Sequence, residues 1–235
     1  MIPLRPHPRL PVEDELENIS CALRSSGTLL LSAEPGAGKS TLVPLGLLSG
    51  TGGRIVMLEP RRIAARAAAA RMAHLLGEPV GMTVGFRTGL ETVCGKNTRI
   101  EVVTEAILTR MIQRDPELPG VDTVIFDEFH ERSIHADLGL ALALDVRENL
   151  RPGLQLLVMS ATLDLPSLKR LIPAAAEIQV PGRMFPVRTL YTDAHPGLPL
   201  EQRIAFTVKN ALDSFPGDAL VFLPGEAEIR RAAGA

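Results

Sequence analysis

Two short stretches carry residue types and spacings able to do chemistry on a phosphate. The first, Ala33-Glu34-Pro35-Gly36-Ala37-Gly38-Lys39-Ser40-Thr41, follows an apolar run and opens a helical pattern. Gly36 and Gly38, with Ala37 between them, let the backbone curl so that successive N–H groups face an anion, and the start of the following helix adds its positive dipole end. Lys39 is placed to reach terminal phosphates, and the hydroxyl of Ser40, with Thr41 beside it, to complete the coordination of Mg²⁺. Ala33 stands where the G-x-x-x-x-G-K-[ST] spacing has its first glycine, a substitution that any position with negative φ accepts. The bland alternative is a glycine-rich turn followed by a solvated lysine.

The second stretch, Thr123-Val124-Ile125-Phe126-Asp127-Glu128-Phe129-His130, is an apolar run ending in adjacent carboxylates. An Asp at such a strand end can hold Mg²⁺, directly or through water, and the next Glu can polarise an attacking water. By itself the pair could equally cap the following turn. Together with the upstream phosphate loop it gives an expected site in which Lys39, Asp127 and Glu128 are the catalytic set, ATP and Mg²⁺ are the cofactors, and Ser40 and Asp127 hold the metal. Lys39 and Asp127 are expected to follow adjacent strands.

These residues must be positioned by the elements around them. Apolar runs at Thr28 to Ser32, Arg54 to Glu59, Arg99 to Thr104, Thr123 to Asp127 and Gln155 to Ser160 read as strands. Between them Lys39 to Leu48, Arg61 to Leu76, Glu105 to Arg114 and Ala136 to Leu150 read as helices. The alternation predicts an α/β fold, a doubly wound parallel sheet with helices on both faces, which the phosphate loop makes a P-loop domain. Ligands then belong beyond the carboxyl ends of the strands. After Ile172, Pro173, Pro181-Gly182 and Phe185-Pro186 suggest a linker. Val187 to Tyr191, a helix from about Leu200 to Asp213, and Ala219 to Leu223 then look like the opening of a second α/β unit, too short to close its own core. The expected division is an ATP-binding domain over 1–182, then a linker and the truncated start of a second α/β domain over 183–235.

Composition narrows the function classes. At 235 residues, 46% hydrophobic, with a formal net charge of −2, the chain is that of an ordinary soluble protein with no global attraction to a polyanion. Any nucleic-acid contact must come from local basic loops. With no Trp, one Tyr and seven Phe, there is little aromatic surface on which to stack bases, against an OB-like or RRM-like module. Cys21 and Cys94 are too far apart for a paired-ligand site, and both are expected to fill core. The proline-broken start is unlike a secretory signal, no run is long enough to span a bilayer, and the default location is a reducing cytoplasm.

With those stretches in view, the chain resembles the DEAH-box ATP-dependent RNA helicases, and among them the bacterial HrpB-type branch. The likeness is carried by the phosphate loop, by Glu59-Pro60-Arg61-Arg62-Ile63-Ala64-Ala65-Arg66 (motif Ia) and by Thr104-Glu105-Ala106-Ile107-Leu108-Thr109-Arg110 (motif Ib). Asp127-Glu128-Phe129-His130-Glu131-Arg132-Ser133 (motif II) and Ser160-Ala161-Thr162 (motif III) complete the set. Phe129 replaces the alanine of the family name, Ala106 stands where motif Ib usually has glycine, and Gly89 takes the place of a second basic residue after Arg87. The resemblance implies that Arg61, Arg62, Thr104 and Arg110 grip a sugar-phosphate backbone without reading sequence. It implies that Arg71, on the far side of the same helix from Arg62, stacks on adenine. His130 links motifs rather than carrying a proton, and Ser160, Ala161 and Thr162 couple the nucleotide to the nucleic acid.

The implied function is the ATP-binding half of an RNA helicase with single-stranded nucleic acid, RNA by the resemblance, as its partner. In that family a second RecA-like domain supplies arginines from a Gln-Arg-x-Gly-Arg-x-Gly-Arg motif. No such string occurs here, so the chain is expected to be a partial helicase that binds ATP and hydrolyses it slowly. Two alternatives stay open at this stage: another P-loop enzyme such as a small-molecule kinase, and a nucleotide-dependent binding module without turnover.

Overall fold

The computed structural model describes residues 3–161, 165–182, 186–192 and 197–234. The chain divides into two compact units, Met1–Met184 and Phe185–Ala235. In the first unit, eight strands form one sheet in the order β4-β3-β5-β2-β6-β7-β1-β8. They are β1 (Thr28–Ala33), β2 (Arg54–Glu59), β3 (Val84–Arg87), β4 (Thr92–Val93), β5 (Ile100–Thr104), β6 (Val121–Phe126), β7 (Gln155–Ser160) and β8 (Ala176–Val180). All neighbours pair in parallel except β3 with β4. The helices of this unit are α1 (Leu16–Ser26), α2 (Lys39–Leu47), α3 (Arg62–Leu76), α4 (Glu105–Arg114), α5 (Ile134–Asn149) and α6 (Leu165–Leu171).

The central strands are continuous apolar runs because both faces of the sheet are covered. Successive side chains point to opposite faces. Leu29, Leu31, Ile55, Met57, Ile100, Val102, Leu157 and Met159 therefore join Ile19 of α1, Leu42 of α2 and Met72 of α3 in one core. Their neighbours Leu30, Val56, Leu58, Val103, Val124, Phe126, Leu156 and Val158 join Leu108 of α4 and Leu140 of α5 in the other. The expected doubly wound sheet is present, with a core on each face.

Three strands escape a reading based on apolar runs, and each lies at or near an edge of the sheet. The stretch read as a linker after Ile172 contains β8, which runs parallel to β1 with Leu29 opposite Ala176 and Ala33 opposite Val180. Its polar alternation through Glu177 and Gln179 suits an edge strand with one face toward solvent, a weaker signal than a buried run. β3 and β4 form a short antiparallel hairpin at the opposite edge. Cys21 is exposed and Cys94 only partly buried, which corrects the expectation that both fill core.

The second unit contains α7 (Leu200–Ser214) and α8 (Glu226–Ala233), neither with a buried residue. The strands expected at Val187 to Tyr191 and Ala219 to Leu223 are not formed. A strand needs a hydrogen-bonded neighbour and a buried face, whereas Val187 is 89% and Phe222 85% exposed. Among the described residues, no helix is long and apolar enough to cross a membrane.

Candidate nucleotide and nucleic-acid site

The phosphate loop, the acidic pair and the starts of motifs Ia and Ib lie at the carboxyl ends of β1, β6, β2 and β5. The phosphate loop runs from β1 to α2 and takes left-handed backbone at Gly36 (φ 80°) and Gly38 (φ 94°). Only glycine adopts that conformation at little cost. At Gly38 a Cβ would also come within 2.9 Å of Leu10, whose segment lies against the loop. Ala33 is the buried last residue of β1, in extended backbone, so glycine is not required there. The loop is closed on itself by the Ala37 N–H, which donates to the Glu34 carbonyl at 3.2 Å, while the Ala37 carbonyl accepts from Val12 at 3.1 Å. Lys39 and Ser40 begin α2, and the Thr41 hydroxyl turns back to the Gly38 carbonyl at 3.4 Å.

Asp127 and Glu128 follow β6. The strand order corrects one expectation: β1 and β6 are not adjacent, because β7 lies between them and ends at the fully buried Ser160. Lys39 nonetheless bridges the gap. Its side chain is 5% exposed and its Nζ lies 3.0 Å from Glu128 Oε1, while His130 Nδ1 lies 3.3 Å from Glu128 Oε2. Asp127 accepts the Glu128 N–H on Oδ1 at 2.8 Å, and its Oδ2 is a buried oxygen with no hydrogen-bond partner among the described residues. Burial raises the Asp127 pKa; the Ser40 hydroxyl beside it works in the opposite sense, as does Lys39. A buried acceptor left without a partner is costly unless something charged completes it. Asp127 Oδ2 beside the Ser40 hydroxyl therefore fits a divalent cation. No group of three or more His, Cys, Asp or Glu among the described residues could hold such an ion unaided, so it would arrive with its phosphate ligands.

Two features here were missed by sequence reasoning. Glu59, at the end of β2, is buried beside Asp127, and its pKa is pushed up to about 9, first by burial and then by the charges of Asp127 and Glu128. Its only sequence signal was a carboxylate at a strand end just before Pro60. The second feature is backbone strain. Glu128 (φ 48°) and Arg132 (φ 48°) are left-handed non-glycine residues bracketing the 3-10 turn Phe129–Glu131. Such residues cost about 1–2 kcal/mol each and persist where the surroundings over-determine them. Phe129 supplies part of that determination, buried edge-on against Phe126 with ring centroids 6.3 Å apart.

Motifs Ia and Ib flank this turn. Arg61, in extended backbone at the N-cap of α3, pairs with Glu131 at 2.9 Å. Arg62 and Arg110 are exposed, Thr104 is partly exposed at the N-cap of α4, and Ser133 donates to Glu105 while capping α5. Arg71 is exposed further along α3, and among the described residues the geometry brings it no partner that would identify an adenine seat. Ser160 ends β7 and Ala161 follows it in a bend, whereas Thr162 lies outside the described residues.

A strand, a phosphate loop and a helix, with an acidic strand end across β7, define a P-loop domain of RecA-like fold. The model of the DEAD/DEAH box helicase family matches residues 15–171, and the chain belongs to that family. It is 51% identical over 228 residues to the ATP-dependent RNA helicase HrpB of Escherichia coli K12, a match covering 94% of this chain and 28% of that protein. It is 33% identical over 231 residues to the probable ATP-dependent RNA helicase DHX34 of Mus musculus, across 94% of this chain and 20% of that one. The crystal structure of the E. coli DEAH/RHA helicase HrpB superposes with a TM-score of 0.87 at 50% identity, over 96% of this chain and 29% of that one. The chain thus spans under a third of the length of these relatives. Family membership sets aside the small-molecule kinase alternative.

Proposed function

We propose that this chain is the ATP-binding part of an ATP-dependent RNA helicase, with residues 1–182 as the nucleotide-binding domain and 183–235 as a linker and the opening of a second RecA-like domain. The observation that carries the reading is the buried Lys39 joined to Glu128 beside the unpartnered Oδ2 of Asp127. A triphosphate entering the loop offers Lys39 a stronger partner than a carboxylate, because phosphate oxygens carry more charge and the loop N–H groups and α2 dipole converge on them. Drawing Lys39 to phosphate frees one oxygen of Glu128, while His130 continues to orient the other. Glu128 is then placed to take a proton from an attacking water. Ser40 and Asp127 would hold Mg²⁺, which when bound neutralises charge on the phosphate oxygens.

Arg61, Arg62, Thr104 and Arg110 are assigned to the backbone of single-stranded RNA, to which they offer cationic and hydroxyl groups, and Arg71 is assigned to the adenine. Ser160, at the end of β7, and the Ala161 and Thr162 that follow it in the chain are assigned the coupling of the two functions. The relatives' names as RNA helicases support RNA as the substrate, and a cytoplasmic location accords with that role.

Calorimetry and single-turnover hydrolysis, each with and without single-stranded RNA, test this. Lys39→Ala should weaken Mg-ATP binding about tenfold or more, since a charge-assisted contact is lost. Glu128→Gln should leave affinity within about twofold and abolish hydrolysis, since a general base contributes little to ground-state binding. Unchanged affinity in the Lys39 variant would discard the phosphate-loop assignment.

A further inference from the structure

Arg61 and Glu131 lie 70 positions apart in the chain, yet their side chains meet at 2.9 Å. The pair joins the helix start proposed to meet nucleic acid to the turn that follows the proposed base. We propose that Glu131 is a positioning residue: it occupies Arg61 until a nucleic-acid phosphate displaces it, and so reports nucleic-acid binding to Glu128. This inference rests on the reading of Arg61 as a phosphate contact.

The geometry supplies each link. The Arg61 side chain is 72% exposed, so a phosphate can approach it without any rearrangement of the protein, whereas that of Glu131 is 31% exposed and faces the arginine. A guanidinium offers a carboxylate or a phosphate the same planar fork, so Glu131 and a phosphodiester compete for the same N–H groups. The neighbouring Arg132 does not take over as counterion, because it is engaged with Asp137 at 3.2 Å and lies over the Phe129 ring at 5.7 Å.

On the other side, the Glu131 N–H donates to the Glu128 carbonyl at 2.9 Å, closing the turn between two left-handed residues. Glu128 in turn is engaged by Lys39 and His130. Capture of Arg61 by a phosphate removes the one side-chain tether seen on Glu131 among the described residues. The strained turn is then free to relax, and Glu128 moves with it because the turn begins at that residue. Surface pairing of this kind is weak, which suits an exchangeable contact better than a structural one.

The test is fluorescence anisotropy of a labelled oligouridylate on the full chain at fixed salt, with Glu131→Gln, Glu131→Asp, Arg61→Ala and the Glu131→Gln/Arg61→Ala double variant. Glu91→Gln serves as a charge control, because Glu91 also pairs with an arginine of α3, Arg66 at 3.5 Å, without touching Arg61. Glu131→Gln should tighten RNA binding about two- to fivefold, the range that release from an exposed ion pair provides. Glu131→Asp, too short to hold the pair, should tighten it similarly, and Glu91→Gln should do so less. In the Arg61→Ala background Glu131→Gln should change nothing further. A Glu131→Gln effect that persists without Arg61, or that Glu91→Gln reproduces in full, overturns the inference while leaving the proposed function standing. RNA affinity unaltered by Arg61→Ala removes the phosphate-contact reading itself, and the inference falls with it.

Discussion

The two units of this chain show similar apolar patterning with opposite outcomes. In the first, Gln155 to Ser160 reads as a strand and becomes β7, hydrogen-bonded on both sides and covered on both faces. In the second, Ala219 to Leu223 reads as a strand by the same signals and forms no regular element, with Leu220 and Phe222 exposed. Apolar alternation states what a segment can bury, and a strand forms only where neighbours satisfy its backbone and cover its side chains. α7 forms regardless, because a helix satisfies its own backbone.

The largest expected contrast is in amide hydrogen exchange. Amides of β1, β2, β6 and β7 should exchange at least about 10³-fold more slowly than those of 187–192 and 219–223, since the former open only with the domain. Strong, uniform protection across both units in a monomer would break the comparison.

Truncating a core side chain comes next. Leu157→Ala in β7, a fully buried site, should cost about 2–5 kcal/mol in denaturant unfolding followed by a probe in the first unit. Phe222→Ala should change that transition by less than about 0.5 kcal/mol. Equal losses would mean that Phe222 is covered in solution.

The smallest expected effect concerns charge. Burial and the neighbouring Asp127 push the Glu59 pKa up to about 9, against an ordinary value of 4.5. Between those values the folded protein keeps a proton that the unfolded chain releases, so stability contributed by this site is present below about pH 4.5 and declines as pH rises toward 9. Glu59→Gln should flatten that decline and gain roughly 1–3 kcal/mol at pH 8. Glu226→Gln, which breaks only an exposed pair with Arg230 on α8, should leave the profile unchanged. A wild-type stability that rises steadily from pH 5 to pH 8, unaltered by Glu59→Gln, would show that Glu59 is ionised in the folded state.

The sequence by itself determined which residues could act and on which local element each would ride. Gly36, Gly38, Lys39 and Ser40 at a strand-to-helix turn, and Asp127-Glu128 at a strand end, were legible because those features depend on neighbours in the chain. So was the presence of a core on each face, since the central strands are apolar without interruption. The tertiary structure alone decided what met across the sheet: β7 between the phosphate loop and the acidic pair, Lys39 against Glu128, Glu59 buried beside Asp127, and Arg61 tied to Glu131. Strand order and burial arise from pairings between distant segments, and a residue's partners and proton affinity follow from them. A local pattern carries no record of which strand will lie alongside which.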